Sequence, residues 1–188
     1  LDNRRNECLD VAISFDDDGM YLLVNVTDNV YCADAVSPEE ITDYDSIRFA
    51  IDCAGSLRAK DRSEFSVGKV NGKTVIYKIF AADKNEAAPE NWHDSGSVLT
   101  NALADISRRN GKTVYKVFIP YSELYPFNCG ANTKQIRFAM SVTDNNGKKV
   151  GELCFSEGLS AETAVWKYAK LTPAALSLDT VYDGSKLN

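Results

Sequence analysis

Residues 11–29 read VAISFDDDGMYLLVNVTDN, two apolar runs joined by a short acidic stretch. In both runs apolar residues alternate with other residues, a period of two that is typical of strands burying one face. The stretch therefore predicts a β-hairpin whose turn contains Asp16 to Asp18 and Gly19. The inward positions of the two strands are predicted to be Val11, Ile13, Phe15, Met20, Leu22, Val24 and Val26.

Three contiguous aspartates also raise the question of a metal or catalytic site. Neighbouring residues on a strand point to opposite faces, so Asp16, Asp17 and Asp18 cannot all converge on one ion. A calcium-binding EF-hand spreads its ligands over a loop of about twelve residues instead. We interpret the stretch as a turn in which Gly19 supplies a positive φ. No cofactor is expected, and structural calcium, held by one aspartate and distant carbonyls, is left open.

The same alternation recurs along the rest of the chain. Asn71-Gly72 is a strong hairpin signal between two of these segments, and short helical turns are expected at Pro38 to Ile41 and Pro120 to Leu124. The main apolar series are Ile47, Phe49 and Ile51; Phe65 and Val67; Val75, Tyr77 and Ile79; Tyr115, Val117 and Ile119; and Ile136, Phe138, Met140 and Val142. Shorter candidates are Ala102 to Ser107, Glu152 to Phe155 and Trp166 to Leu171.

This pattern predicts the fold class. Strands do not alternate with helices, which argues against a parallel α/β sheet. Short strands separated by turn signals favour an all-β fold, an antiparallel β-sandwich of about ten strands with one or two short helical turns. We expect residues 1–171 to form one domain, with residues 172–188 as a tail, a linker or an added strand.

Composition excludes several classes of protein. The chain has 188 residues, 44% of them hydrophobic, and a net charge of −6. A negative charge repels phosphate backbones, so no nucleic-acid partner is expected. The sequence contains no 18-residue apolar run, so no membrane insertion is expected. The abrupt start at Leu1, without a recognisable signal peptide, is what we expect of a fragment.

Catalytic and zinc motifs are absent from the sequence. The five cysteines include no CxxC pair, and His93 is the only histidine, so zinc is not expected. No nucleophile motif accompanies His93, and no pair of carboxylates stands in a context typical of glycoside hydrolysis. We therefore predict that the protein is not an enzyme. Disulfides among the cysteines are left open.

Long loops carry the candidate binding residues. Trp92 lies in the polar loop 81–98, where its ring could stack on the apolar face of a sugar or fold back and cap the end of the sandwich. Arg48, Lys78, Lys116 and Arg137 are predicted to project from the face opposite the apolar one. The sequence VTDN occurs at residues 26–29 and again at 142–145, which we interpret as two strands ending in the same turn chemistry.

Five segments, taken in order, resemble carbohydrate-binding module family 9 and its relatives in the DOMON-like group. Each segment has the sequence pattern of one element of that family. In chain order these elements are an apolar strand ending in an aromatic-Asp pair, an Asp-Ser pair leading into a strand, a strand running into Ile-Pro, a strand with a terminal Asp, and a closing strand. They are VAISFDDDGMYLLVNVTDN (11–29), DYDSIRFAID (43–52), GKTVYKVFIPYSEL (111–124), IRFAMSVTDNNG (136–147) and WKYAKL (166–171).

The resemblance implies where sugar contacts would lie. The family's sugar binders place a tryptophan where this chain has Thr42, an acid where it has Arg48, an amide where it has Ser141, and a second tryptophan in the loop matching residues 160–164, which has none. Tyr44 is close to the first of these positions. The candidate carbohydrate-binding residues are Trp92, Tyr44, Arg48 and Tyr31. Some DOMON relatives bind haem through methionine and histidine, but Met20 and Met140 fall in apolar series, so haem is not expected.

The resemblance also implies a function. We expect a non-catalytic carbohydrate-binding accessory module of a secreted or cell-surface polysaccharide-acting protein, with an extracellular or cell-surface location. Its expected partners are a polysaccharide or oligosaccharide, and other domains of a larger protein. The alternative is a structural or protein-interaction β-sandwich module that has lost the family's sugar site.

Overall fold

A computed structural model describes residues 8–52, 62–83, 88–126, 136–147, 150–154, 159 and 169–171. Within these ranges the chain forms eleven strands and two short 3-10 helices, Pro38–Asp43 and Tyr121–Glu123. The strands are β1 Cys8–Phe15, β2 Gly19–Thr27, β3 Ser46–Asp52, β4 Arg62–Val70, β5 Lys73–Phe80, β6 Ser97–Val98, β7 Leu103–Arg109, β8 Lys112–Pro120, β9 Ile136–Asn145, β10 Val150–Cys154 and β11 Ala169–Leu171.

The strands form two antiparallel sheets. The smaller sheet has the order β1-β2-β8-β7, and the larger has the order β10-β9-β3-β4-β5-β6, with β11 also paired to β9. The predicted all-β sandwich is confirmed, as are the helical turns expected near Pro38 and Pro120. No described helix has the length and apolar character needed to cross a bilayer. The single-domain prediction stays a prediction, and Trp166 and the tail 172–188 lie outside the described residues.

The hydrophobic core lies between the two sheets. Phe49 is fully buried and stacks on Phe65 and Phe138, with ring centroids 5.2 Å and 6.2 Å apart. The inward residues of β2, β3 and β8 are those that alternation predicts, and in β9 the same holds for Phe138, Met140 and Val142. Burial of this apolar surface is the main favourable contribution to folding. These strands therefore have a fixed inner face, which determines what their outer faces present.

The acidic stretch after β1 is a turn organised by Asp16. Its carboxylate accepts hydrogen bonds from the backbone N–H groups of Asp18 (2.9 Å) and Gly19 (3.1 Å). The prediction that Gly19 supplies a positive φ is wrong, because Gly19 is not among the positive-φ glycines. It is needed for space: a Cβ there would lie 2.3 Å from the carbonyl oxygen of Ile119 on β8. The predicted hairpin at Asn71 and Gly72 is confirmed, with φ values of 49° and 77°.

The predicted phase of β5 is wrong. Ile76 belongs to the core between the sheets, while Val75 and Tyr77 pack on a small cluster on the other face. That cluster is formed by Ala35, Ile41 and Val70. Alternation favours the series Val75, Tyr77 and Ile79, because the other series includes Lys78. The apolar cluster on the outer face and the buried pair of Lys78 with Glu123 stabilise the other phase.

Candidate functional site

A depression of about 250 Å³ opens on the outer face of the larger sheet. Strands β3, β4 and β5 form its floor, and the 3-10 helix Pro38–Asp43 forms one wall. The position of that helix follows from local packing, because its Ile41 is buried against the small apolar cluster. The lining residues are Glu39, Thr42, Arg48, Ser66, Tyr77 and Ile79.

Arg48 supplies the positive charge of the depression. Its Nε contacts Oε1 of Glu64, a fully buried carboxylate, while the Arg48 side chain keeps 18% of its surface exposed. The other Glu64 oxygen lies 3.7 Å from Nε of Arg62. One carboxylate therefore lies between two guanidinium groups. Alternation correctly predicts that Arg48 points away from the core.

Two serines flank Arg48 on the neighbouring strands. Ser66 on β4 and Ser141 on β9 are each opposite Arg48 in the strand register. Both side chains are fully buried, and neither hydroxyl has a hydrogen-bond partner among the described residues. A buried hydroxyl without a partner is costly.

Tyr77 and Glu39 form the other side of the depression. The Tyr77 hydroxyl donates to Oε1 of Glu39 at 3.3 Å. Partial burial, then the nearby Glu39 carboxylate, raises the pKa of Tyr77. Tyr44 packs on the same small apolar cluster as Tyr77 and is half-buried. Tyr44 and Arg48 thus belong to the same side of the larger sheet.

Tyr31 and Trp92 lie in other parts of the protein. Tyr31 lines a small cavity between the ends of the two sheets, with Arg108 over its ring at 5.1 Å from the centroid. Trp92 is buried, with 7% of its surface exposed, and Nζ of Lys78 lies 4.6 Å from its ring centroid. The four predicted binding residues are therefore not gathered in one site, and the Trp92 ring offers little open surface for sugar stacking.

Lys78 corrects another prediction. It was expected to project from the solvated face, but its side chain is fully buried and its ammonium group lies 5.7 Å from the ring centroid of Phe65. The reason is the phase of β5, which places Lys78 on the same face as Ile76. Lys78 is neutralised by Glu123, to which it donates at 2.9 Å (side chain) and 3.2 Å (backbone carbonyl).

Glu123 gathers several donors from the loop that carries Trp92. The carboxylate lies 2.6 Å from Nδ1 of His93 and accepts hydrogen bonds from the His93 backbone N–H and from Asn101. Burial works to raise the pKa of Glu123, but the hydrogen bonds from His93, Lys78 and Asn101 outweigh it and the pKa is lowered. This network fixes the loop against β5, which explains the burial of Trp92.

The two VTDN segments end at the same place. Asp28, Asp144 and the buried Asp45 each offer a carboxylate oxygen, and these oxygens lie within 4.8 Å of one another. They line the cavity that Tyr31 lines. Burial, with smaller contributions from Asp28 and Asp144, raises the pKa of Asp45 to about 6, against two backbone hydrogen bonds that lower it. Carboxylates in this arrangement suit a hard cation such as calcium.

The expected turn chemistry of these segments is also present. The Asp28 carboxylate accepts from the Val30 N–H at 2.8 Å, and the Asn145 side chain accepts from the Gly147 N–H at 2.8 Å. Each is a side-chain hydrogen bond two residues along the chain, as in an Asx turn. The repeated tetrapeptide was therefore a signal for strand ends, but the meeting of its aspartates depends on the stacking of the two sheets.

Five of the six residues that line the depression are not among the predicted binding residues: Glu39, Thr42, Ser66, Tyr77 and Ile79. Of these, Thr42 alone falls at a position that the resemblance marks. Serine on a strand and an acidic residue in an acidic loop are common, so Ser66 and Glu39 carry no local signal, and the wrong phase of β5 places Tyr77 in the core. No local signal marks this outcome, because of a neighbouring tyrosine and lysine on a strand the lysine is ordinarily the solvated one.

Comparison with solved structures identifies the fold. A family 9 carbohydrate-binding module of Caldicellulosiruptor kristjanssonii, solved with glucose, matches with a TM-score of 0.59 and 11% identity over 88% of this chain and 76% of its own. A structure of a family 9 module from that organism with cellotriose matches with a TM-score of 0.55 and 13% identity. That match covers 79% of this chain and 64% of the other, so this chain spans less than two thirds of it.

A candidate carbohydrate-binding protein of Bacteroides uniformis matches with a TM-score of 0.61 and 13% identity, over 88% of this chain and 78% of its own. No protein-family model and no curated protein matches the sequence. Identities this low establish the fold alone. The chain therefore has a fold like that of family 9 carbohydrate-binding modules.

Proposed function

We propose that the chain is a non-catalytic carbohydrate-binding module and that sugar binds in the depression on the outer face of the larger sheet. One observation carries the proposal. Thr42 and Arg48 line the depression and Ser141 lies beside Arg48, so three positions that the family resemblance assigns to sugar contacts come together. Residues 42 and 141 are far apart in sequence, and the fold alone brings each of them near Arg48.

The chemistry of the depression suits a sugar ring. Tyr77 and Ile79 give it apolar surface for the C–H face of a pyranose, and Arg48, Thr42 and Glu39 give it polar groups for the hydroxyls. Its volume of about 250 Å³ is below the roughly 300–1,000 Å³ of typical drug-sized pockets. We expect it to hold one ring of a chain that continues across the open surface.

Binding fits the depression better than hydrolysis does. Most glycoside hydrolases need two carboxyl groups flanking the scissile bond. Among the described residues, Glu39 is the one acidic side chain that lines the depression. Glu64 lies behind Arg48, fully buried and in contact with two arginines. A carboxylate in that position orients Arg48 and does not reach a substrate.

A second candidate function is favoured by the position of Trp92. The burial of its ring removes the aromatic residue that the sequence offered first for sugar stacking. Thr42 also stands where the resemblance places a tryptophan. Both facts fit a structural or protein-interaction module that keeps the sandwich without the sugar site, and the experiments below separate it from the first candidate.

The wider context follows from the resemblance. We infer that the chain acts as an accessory part of a secreted or cell-surface protein that acts on polysaccharides, and that sugar binding requires no cofactor. Other domains of such a protein are its expected neighbours. A glycosidase domain or cell-wall anchor encoded in the same gene is the observation that bears on this most directly.

A glycan array followed by calorimetry on the positive glycans tests the proposal. We expect Arg48→Ala and Tyr77→Ala to weaken binding at least ten-fold. Arg109→Ala and Tyr21→Ala are the matched controls, because both residues lie in the smaller sheet away from the depression. Binding to no glycan, or equal losses in the controls, would favour the structural module.

A further inference from the structure

Four residues form a row across four neighbouring strands of the larger sheet. Ser141 on β9 is opposite Arg48 on β3, Arg48 is opposite Ser66 on β4, and Ser66 is opposite Tyr77 on β5. Arg48 therefore stands between two serines, with Tyr77 two strands away. Since strands are about 4.8 Å apart, Arg48 and Tyr77 are separated by about 10 Å. That distance is comparable with the length of a substituted sugar ring.

The guanidinium group of Arg48 is positioned by Glu64 and still has N–H donors available. Its Nε is directed at Glu64, and its two terminal nitrogens have no hydrogen-bond partner in the part of the chain that the structure describes. Because the buried Glu64 carboxylate fixes the Nε side of the guanidinium group, the N–H groups on the two terminal nitrogens are also held in position. An arginine with ordered, unused donors is suited to bind a carboxylate through two parallel hydrogen bonds.

The charges around Arg48 also bear on what binds there. Arg62 and Arg137 are both opposite Asp52, and Glu64 lies between Arg48 and Arg62. Arg48 and Arg62 thus share the carboxylate of Glu64, and Glu39 is the one acidic residue among those that line the depression. The net charge of −6 on the whole chain acts at longer range, where salt at physiological strength screens it beyond about 8 Å.

The opposite end of the depression has the opposite character. Glu39 accepts a hydrogen bond from the Tyr77 hydroxyl and is exposed, so it can accept further hydrogen bonds from sugar hydroxyls. A ligand with a carboxylate at one end and hydroxyls at the other matches this asymmetry. A neutral hexose offers hydroxyls at both ends and leaves the bidentate donors of Arg48 without a planar partner.

We propose that the depression selects a hexuronic acid residue of an acidic polysaccharide, with the sugar carboxylate on the terminal nitrogens of Arg48 and the ring hydroxyls toward Tyr77 and Glu39. This rests on the proposed carbohydrate-binding function and names its substrate class. Selectivity for the acid therefore depends on one arginine whose position the sheet fixes.

Calorimetry with an oligogalacturonide and with the same oligosaccharide fully methyl-esterified tests the proposal, because the two differ only at the carboxyl group, which the ester leaves uncharged and methylated. A cello-oligosaccharide serves as the neutral reference. We expect at least ten-fold tighter binding of the acid than of the ester by the unmodified chain. Arg48→Lys keeps the positive charge but cannot make two parallel hydrogen bonds, so it should weaken acid binding about ten-fold. Arg48→Gln should abolish the preference for the acid, whereas the control Arg109→Gln should keep it.

The outcomes separate the two levels of the proposal. Equal binding of acid and ester, or a preference that survives Arg48→Gln, overturns uronate selectivity and leaves carbohydrate binding intact. Binding of no oligosaccharide overturns both. The comparison of acid with ester uses the unmodified chain, so it is decisive even where a variant fails to fold, which circular dichroism would reveal.

Discussion

Replacing Glu123 by Gln should be strongly destabilising, because it removes the charge that neutralises a buried lysine. Lys78 and Glu123 are both fully buried, 2.9 Å apart. Removing one partner of a buried ion pair typically costs about 3–5 kcal/mol, since the remaining charge loses its compensation. The amide of Gln also presents a donor where the carboxylate accepted from His93, Lys78 and Asn101.

The expected loss is large enough for ordinary denaturation experiments. For a domain of this size, 1 kcal/mol corresponds to about 2–4 °C in Tm, so a loss of 3–5 kcal/mol lowers Tm by about 6–20 °C. Urea denaturation followed by circular dichroism gives the free energy of unfolding. Glu152→Gln, at an exposed position on β10, is the matched control and should change stability by less than about 0.5 kcal/mol.

The effect should also depend on pH in a defined direction. The pKa of Glu123 is lowered from 4.5, so its contribution to stability is fully present above about pH 4.5 and is lost as the pH falls through the lower folded-state pKa. The difference between the unmodified chain and Glu123→Gln should therefore shrink in acid. The double variant Lys78→Met with Glu123→Gln should recover part of the loss. A loss below about 1 kcal/mol for Glu123→Gln at neutral pH would refute the reasoning.

Three further predictions concern the core, the first turn and the acidic cluster. Phe49→Ala, at a fully buried ring stacked on Phe65 and Phe138, should cost about 3–5 kcal/mol in urea denaturation, whereas Leu103→Ala at an exposed position should cost little. Gly19→Ala should cost about 1–3 kcal/mol, because the new Cβ meets the Ile119 carbonyl, while Gly151→Ala, whose Cβ would lie 3.8 Å from the nearest atom, should be tolerated. NMR titration should find the Asp45 pKa near 6, so the contribution of Asp45 to stability should fall as the pH rises from about 4 to about 6. Both Asp28→Asn and added calcium should lower the Asp45 pKa. A pKa near 4 in the unmodified chain would contradict the account of the cluster.

The larger part of the sandwich could be predicted from the sequence where polar residues mark one phase of a strand. In β3 the series Ile47, Phe49 and Ile51 alternates with Ser46, Arg48 and Asp52, so one face alone can be inward. In β5 the apolar series Val75, Tyr77 and Ile79 favours the wrong phase, because the other series includes Lys78. The outer-face cluster around Ile41 decides the outcome, and that cluster depends on contacts between segments far apart in sequence.

The site could be predicted only in part for the same reason. Alternation places Arg48 on the outer face, but its ion pair with Glu64 depends on the register in which β3 pairs with β4, which no local pattern marks. The burial of Trp92 depends on Lys78, which precedes it by 14 residues, and on Glu123, which follows it by 31 residues. Such contacts belong to the tertiary fold, and propensity does not encode them.

The central claim is that sugar binds on the outer face of the larger sheet, and NMR titration of the unmodified chain with an oligosaccharide tests it most directly. Progressive, saturable changes in backbone amide shifts are expected to be largest at Arg48, Ser66 and Tyr77. Amides at Trp92, and at Tyr21 on the smaller sheet, should change little. Largest changes in the loop around Trp92, or no saturable change with any neutral or acidic oligosaccharide, would contradict the claim.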